Sequence, residues 1–302
     1  MVHTKRIASG VIFIVITSCF LLSCKSNLES LVEHPVEIIK VADGFRFTEG
    51  PAVNSIGDLY FSDIPNNKIY KWTPEVGLEL VSENVANSNG LYFNRGDELF
   101  ACEMKARRIS RMNKDGEMEF ITDEYEGKKY NKPNDLWVHP GGGIYFTDPS
   151  YYMIEADIEQ DVEAVYYIPP GRDKVVRVSG HLPRPNGIVG TADGRILYVV
   201  SDTIHRTWKF IIQPDGSLSE KDLFVENGHD GLTLDARGNL YIANRDSLSV
   251  DIYNPEGEFL ESIVFPEEPS NSCFGRPGDN TLYVTAVTSV YAVRMNVGGQ
   301  WD

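Results

Sequence analysis

One pattern recurs six times along the chain, and it constrains the fold more than any other feature. A polar residue, usually followed by Gly, opens an apolar stretch. A Gly- or Asp-bearing turn follows, then a second stretch marked by Leu or Ile next to an aromatic residue. The instances are Glu49-Gly50…Leu59-Tyr60, Asn89-Gly90…Leu99-Phe100, Asn134-Asp135…Ile144-Tyr145, Asn186-Gly187…Leu197-Tyr198, Asp230-Gly231…Leu240-Tyr241 and Ser272-Cys273…Leu282-Tyr283. The step from polar residue to Leu or Ile is ten residues in five instances and eleven in the fourth. Successive polar residues lie 40, 45, 52, 44 and 42 residues apart. Constant spacing within a unit and variable spacing between units is how stacked supersecondary repeats are written.

Each unit holds about four short alternating stretches separated by Gly, Asp, Asn or Pro. In the second they run 91–93, 98–102, 108–112 and 118–122, with Asn113-Lys114-Asp115-Gly116 as a turn. Four strands per ~42 residues is a propeller blade. The expectation is therefore an all-β chain, a six-bladed β-propeller of four-stranded blades forming one domain over residues 36–302. The last unit lacks a fourth strand after 290–295. The segment Val36 to Val41 is placed to supply it, closing the ring with an N-terminal strand and leaving no open sheet edge.

The longest spacing, 52 residues after Asn134, contains Ser150 to Tyr167 with five acids: Glu155, Asp157, Glu159, Asp161 and Glu163. It reads either as a solvated surface loop or as a lid over one mouth of the channel.

The recurring polar residue begins the first strand of each blade, which in a propeller is innermost. Glu49, Asn89, Asn134, Asn186, Asp230 and Ser272 should thus converge on one axis. An all-oxygen ring suits a hard cation such as Ca²⁺ or Mg²⁺, and adjoining buried carboxylates are costly unless neutralised. The same groups can instead cap strand ends and bind channel water. A second polar ladder, Asp63, Glu103, Asp148, Asp202 and Asn244, is expected to end the second strands and cap turns. Asp148 and Asp202 are the members able to reach the channel mouth.

The chain carries 44 acidic and 28 basic residues, a net charge of −16, which disfavours nucleic-acid binding because phosphate contacts need clustered Lys and Arg. There is no His-Glu-x-x-His, Cys-x-x-Cys, Gly-x-Ser-x-Gly or P-loop, so a zinc protease or serine hydrolase is not indicated. The six histidines show no ligand spacing. His139, before Pro140, reads as a turn residue, while His229 adjoins Asp230 and is either structural or near the site.

The N-terminus reads as an address. Lys5 and Arg6 precede an apolar run from Ile7 to Phe20, too short for the ~20 residues of a spanning helix. Leu21-Leu22-Ser23-Cys24 resembles a bacterial lipobox, with Cys24 lipidated and residues 1–23 removed as a signal peptide. Residues 24–35 then form a tether. This predicts an exported bacterial lipoprotein of the periplasm, outer membrane or cell surface, touching membrane only through its lipid. Cys102 and Cys273 remain for the fold, expected as two buried thiols, with a disulfide between them in an oxidising compartment as the alternative.

The segments Thr48-Glu49-Gly50-Pro51, Lys132-Pro133-Asn134-Asp135, Tyr145-Phe146-Thr147-Asp148-Pro149, Pro185-Asn186-Gly187 and His229-Asp230-Gly231-Leu232 occur in this order. Together they resemble the gluconolactonase / senescence marker protein (regucalcin) family, with a more distant similarity to squid-type diisopropylfluorophosphatase. The resemblance spans roughly Val41 to Val297. It implies a channel cation, commonly Ca²⁺ and in some members Zn²⁺ or Mn²⁺, and hydrolysis of a sugar-type lactone as substrate. Carried over by motif, Glu49, Asn186 and Asp230 are implied metal ligands, and Asp230 is also the catalytic base or nucleophile. Asn134 is implied as a ligand or a substrate-binding group. Animal members place Arg two residues before the Asn of the Asn-Asp pair; Lys132 stands there, offering substrate a point charge in place of a bidentate fork. Two other readings of the same scaffold are a hydrolase of another lactone or an organophosphate, and a non-catalytic, calcium-stabilised binding propeller.

Overall fold

The computed structural model describes residues 30–301 except Lys114, Arg172 and Asp173. The signal segment and Cys24 lie outside the described residues. Among these residues no helix is long and apolar enough to cross a membrane.

Six four-stranded antiparallel sheets stand around one axis. The first blade comprises Thr48–Val53, Leu59–Asp63, Lys68–Thr73 and Gly77–Glu83. The second comprises Ser88–Phe93, Leu99–Glu103, Arg108–Met112 and Met118–Thr122, so its last two strands fall where the alternation puts them. The third comprises Leu136–Val138, Ile144–Asp148, Ala164–Ile168 and Val176–Gly180. The fourth comprises Pro185–Gly190, Ile196–Ser201, Arg206–Ile211 and Asp222–Val225. Leu232–Leu234, Leu240–Asn244, Ser249–Tyr253 and Phe259–Val264 make the fifth. Burial falls outward along each blade: Thr48–Val53 is buried throughout, whereas Gly77–Glu83 is half-buried or exposed.

The sixth blade is built from Pro269–Phe274, Thr281–Ala286 and Ser289–Arg294, with Ile39–Asp43 as its outermost strand. The two chain ends thus share one sheet, with Lys40 opposite Tyr291. The closing strand lies slightly later than the expected 36–41. The tether ends before residue 35, because Leu31 and Val32 are buried with Tyr291, Val293 and Met295. Glu33 N donates to Arg294 O at 3.1 Å, and Asn296 N donates to Leu31 O at 2.8 Å. Two adjacent apolar side chains in a polar stretch suffice to dock it, because each gains about 1.5–3 kcal/mol on burial.

Adjacent blades are pinned near the axis by hydroxyls of the second strands. Ser62 Oγ donates to Asn89 O at 2.9 Å and Thr147 Oγ1 to Asn186 O at 2.7 Å. The glycine after the ring residue is required by this proximity. Gly50 has φ +54°, and a Cβ there would lie 2.3 Å from Asn89 O; one on Gly187 would lie 2.4 Å from Asp230 O.

The ring position of the sixth blade is Ser270, not the expected Ser272. Pro269 pairs with Ala286 as Thr48 pairs with Asp63. Val53 pairs with Leu59 across the first turn, but Phe274 pairs with Leu282. The turn is longer by two residues, so counting back ten from Leu282 stops short of the ring. Ser270 Oγ is turned to the backbone, with Thr48 O at 2.7 Å and Thr285 O at 3.0 Å as the alternative acceptors of its one proton.

The candidate active site in the channel

Five of the ring residues, Glu49, Asn89, Asn134, Asn186 and Asp230, are buried at the start of the innermost strands. Asn186 Nδ2 donates to Asp230 Oδ1 at 2.8 Å. Glu49 Oε2 accepts from its neighbour Gly50 N at 2.6 Å and from Asn271 Nδ2 at 3.1 Å. The structure therefore brings Glu49, Asn186 and Asp230 together. Asn134 holds its ring place, its carbonyl accepting Gly90 N at 2.8 Å, and its side-chain amide makes no hydrogen bond among the described residues. Asn89 turns its amide to Met104 Sδ at 3.3 Å.

Two site residues escaped the sequence reading, and one signal could have found them. The residue after the ring position is Gly in four blades but Asp135 in the third and Asn271 in the sixth. Each fills the room its neighbour's glycine leaves. A Cβ on Gly90 would lie 2.4 Å from Asp135 Oδ1, and one on Gly231 would lie 2.0 Å from Asn271 Cγ. Asn271 Nδ2 also reaches Asp135 Oδ2 at 3.5 Å, so one amide serves acids from the first and third blades.

Glu49, Asp135 and Asp230 are thus three buried carboxyls sharing one channel. Burial, then Asp230 and Asp135, holds the Glu49 carboxyl well above its ordinary range. Burial pushes Asp135 to about 7. Asp230 is pushed to about 7 by burial, against the opposing pull of Arg245 and Asn186. Arg245, which no repeat position marks, stands beside Asp230. Its Nε stands 3.9 Å from Asp230 Oδ2, and its Nη2 donates to Asp202 Oδ1 at 3.1 Å and His229 O at 3.2 Å. One guanidinium shared with Asp202 leaves the three acids under-compensated. An oxygen-rich donor set short of positive charge fits a hard divalent cation.

The acidic 150–163 segment lies over the ring-side mouth. Tyr151 Oη donates to Asp202 Oδ2 at 3.1 Å, and Gln160 Nε2 to Lys128 O at 2.7 Å. Lys132 Nζ donates to Tyr151 O at 2.6 Å, so it tethers this segment, and burial lowers its pKa. A cavity of about 540 Å³ opens beneath, lined by Ile64, Asn87, Met104, Lys132, Tyr152 and Ile154 among others. At the opposite mouth a cavity of about 330 Å³ is bounded by Phe93, Phe274 and Trp301, where Gln300 Nε2 donates to Gly190 O at 2.6 Å.

The second ladder divides as its chemistry suggests. Asp63 accepts Arg46 N at 3.2 Å and Glu103 pairs with Arg108 Nε at 2.6 Å. Asp148 Oδ2 accepts Asn131 N at 2.8 Å while its Oδ1 has no partner among the described residues, and burial pushes it to about 8. Asp202 alone reaches the site. Cys102 and Cys273 are free thiols, the first buried and the second half-buried.

Fold and site together define a six-bladed propeller whose channel carries a buried cluster of carboxylates and amides at a roofed mouth. The chain matches the SMP-30/Gluconolactonase/LRE-like region over residues 47–288, and it belongs to that family. It is 29% identical over 304 residues to a gluconolactonase of Zymomonas mobilis subsp. mobilis, covering 89% of this chain and 83% of the relative. It is 24% identical to lactonase drp35 of Staphylococcus epidermidis, covering 80% and 76%. The solved gluconolactonase of Xanthomonas campestris superposes with a TM-score of 0.81 at 26% identity, covering 88% and 91%.

Proposed function

We propose that the protein is a divalent-cation-dependent lactonase that opens a sugar-type lactone at the roofed mouth of the channel. The observation that carries this reading is the meeting of Glu49, Asn186 and Asp230, with Asn186 Nδ2 on Asp230 Oδ1 at 2.8 Å. The gluconolactonase and lactonase names of the relatives support the reaction class.

Glu49, Asn186 and Asp230 would hold the cation, with Asn134 as a further ligand or a hydrogen-bond partner of substrate. Ca²⁺ suits this oxygen set best, and Zn²⁺ or Mn²⁺ are the alternatives. Bound there, the cation supplies Lewis-acid polarisation of the lactone carbonyl. Asp230 takes the proton of the attacking water as that oxygen bonds to the carbonyl carbon. The acyl–oxygen bond of the ring then breaks, and the proton passes to the departing ring oxygen, giving the hydroxy acid. Direct attack by Asp230, breaking the ring acyl–oxygen bond and forming a mixed anhydride, is the alternative route; hydrolysis of that anhydride at the Asp230 carbonyl in isotopically labelled water would carry label into Asp230 in a single turnover. Asn134 orients the ring oxygens, and Lys132 contributes through the segment it tethers. Arg245 pulls against the burial that raises the Asp230 pKa.

The deciding experiment measures acid release from glucono-1,5-lactone above the spontaneous rate, after chelation and again with Ca²⁺, Zn²⁺ or Mn²⁺ restored. Metal-restored turnover is the expected result. Tight metal binding without turnover on this or any other lactone or organophosphate would leave a binding propeller.

We also propose export as a lipoprotein anchored through Cys24, supported by the Leu-Leu-Ser-Cys sequence alone. Radiolabelled fatty acid should enter the wild-type protein and be absent from Cys24→Ala.

A further inference from the structure

Beside the oxygen-lined ring stands a group of different chemistry. His205 ends the short turn Asp202–Ile204 in the left-handed conformation (φ 50°, ψ 52°), which aims its ring toward the fifth blade. There His205 Nδ1 meets His229 Nδ1 at 3.0 Å, with ring centroids 4.2 Å apart. Asp246, in the turn after the second strand of that blade, completes the group. The donor atoms of His205, His229 and Asp246 all lie within 4.8 Å of one another.

We propose that His205, His229 and Asp246 form a second metal site, for a borderline divalent ion of the Zn²⁺ class, distinct from the oxygen ring. Three arguments carry it. The donor set of two imidazoles and a carboxylate selects Zn²⁺ and its transition-metal neighbours over Ca²⁺. The nitrogen separation is a few tenths of an ångström short of the chord of two metal–nitrogen bonds: with each near 2.0–2.1 Å and a tetrahedral angle the nitrogens lie about 3.3–3.4 Å apart, and the two Nδ1 atoms stand at 3.0 Å. The neighbouring cation is already engaged, since Arg245 turns to Asp202, Asp230 and the His229 carbonyl. That leaves Asp246 as the carboxylate beside the two rings. His229 is buried whereas His205 and Asp246 are exposed, so the ion would sit at the rim with coordination positions open to water. Because His229 precedes Asp230 in the chain, such an ion stands next to the catalytic strand without sharing a ligand with the ring.

The test uses the full chain, stripped of metal and then saturated with Ca²⁺. Titration with Zn²⁺ should fill one equivalent that Ca²⁺ does not displace. His205→Ala should weaken it at least tenfold, and so should His205→Asn, in which Asn retains the left-handed backbone. Cu²⁺ placed there should show hyperfine coupling to two imidazole nitrogens, falling to one in either variant, with unchanged circular dichroism. A Glu49→Gln variant should lose Ca²⁺ affinity yet keep the Zn²⁺ equivalent, so failure of the ring reading and failure of this one are distinguishable. Equal Zn²⁺ binding in wild type and both His205 variants, or a copper spectrum without nitrogen coupling, overturns the proposal.

Discussion

Asn271 on the sixth blade donates to Glu49 on the first at 3.1 Å, across a sequence separation of 222 residues. This bond and the one from Gly50 N both go to Glu49 Oε2. Removing the first in Asn271→Ala leaves Gly50 N as the one remaining donor to Glu49 Oε2 and takes away a bond that lowers the Glu49 pKa. Divalent-cation affinity should fall about 10–100-fold, the usual cost of losing a group that orients a ligand. Isothermal titration of the chelated protein checks this, and unchanged affinity refutes it.

Asp230→Asn keeps the size of the side chain and removes its basicity. The kcat/KM for lactone opening should drop about 10²–10⁴-fold, the range of a lost general base. Cation binding should weaken as well. Wild-type turnover in this variant would remove Asp230 from the mechanism.

Glu49→Gln should behave differently, because the proposed mechanism has Glu49 hold the cation without handling the proton. Half-saturation should move to higher metal concentration, with kcat largely recovered when metal is in excess. Steady-state rates across a metal titration separate the two patterns. A kcat that stays low at saturating metal would give Glu49 a chemical role.

The buried Asp148 gives a stability signature in pH. Its folded pKa of about 8 lies above the ~3.9 of an unfolded Asp. Its protonated form therefore stabilises the fold fully below about pH 4, and that contribution is lost as pH rises toward 8. Asp148→Asn has no such loss. Its melting temperature relative to wild type should climb between pH 5 and pH 9, which parallel thermal melts would record. A constant difference across that range would mean Asp148 ionises freely in the fold.

Leu31 lies in the segment before the closing strand and is 4% exposed. Leu31→Ala should cost about 2 kcal/mol, the low end for a buried Leu because the site is peripheral and able to collapse. Denaturant unfolding measures it. A change within about 0.5 kcal/mol would mean that residues 30–33 add nothing to the domain.

Much of this architecture is local and was therefore readable. Alternation in 108–112 and 118–122 placed two strands of the second blade at their observed bounds, because period-two burial needs only neighbouring residues. The ring position was readable in five blades because the first turn varies by no more than one residue among them. It failed in the sixth, where a longer turn moved Ser270 out of step. The Pro-Ser-Asn of 269–271 echoes Pro133-Asn134-Asp135 and Pro185-Asn186-Gly187, a signal that the ten-residue spacing from Leu282 overrides.

The sequence alone determined a six-fold repeat, blade strands, a ring closed by the N-terminal strand, and the convergence of Glu49, Asn186 and Asp230. Those follow from hydrophobic period and repeat phase, which are properties of short stretches. Only the tertiary structure decided that Asn271 would serve both Glu49 and Asp135, that Arg245 would stand between Asp202 and Asp230, and that His205 would meet His229. These pairings depend on how closed blades face one another across an axis. That geometry is set by packing between strands far apart in the chain, and no local pattern records it.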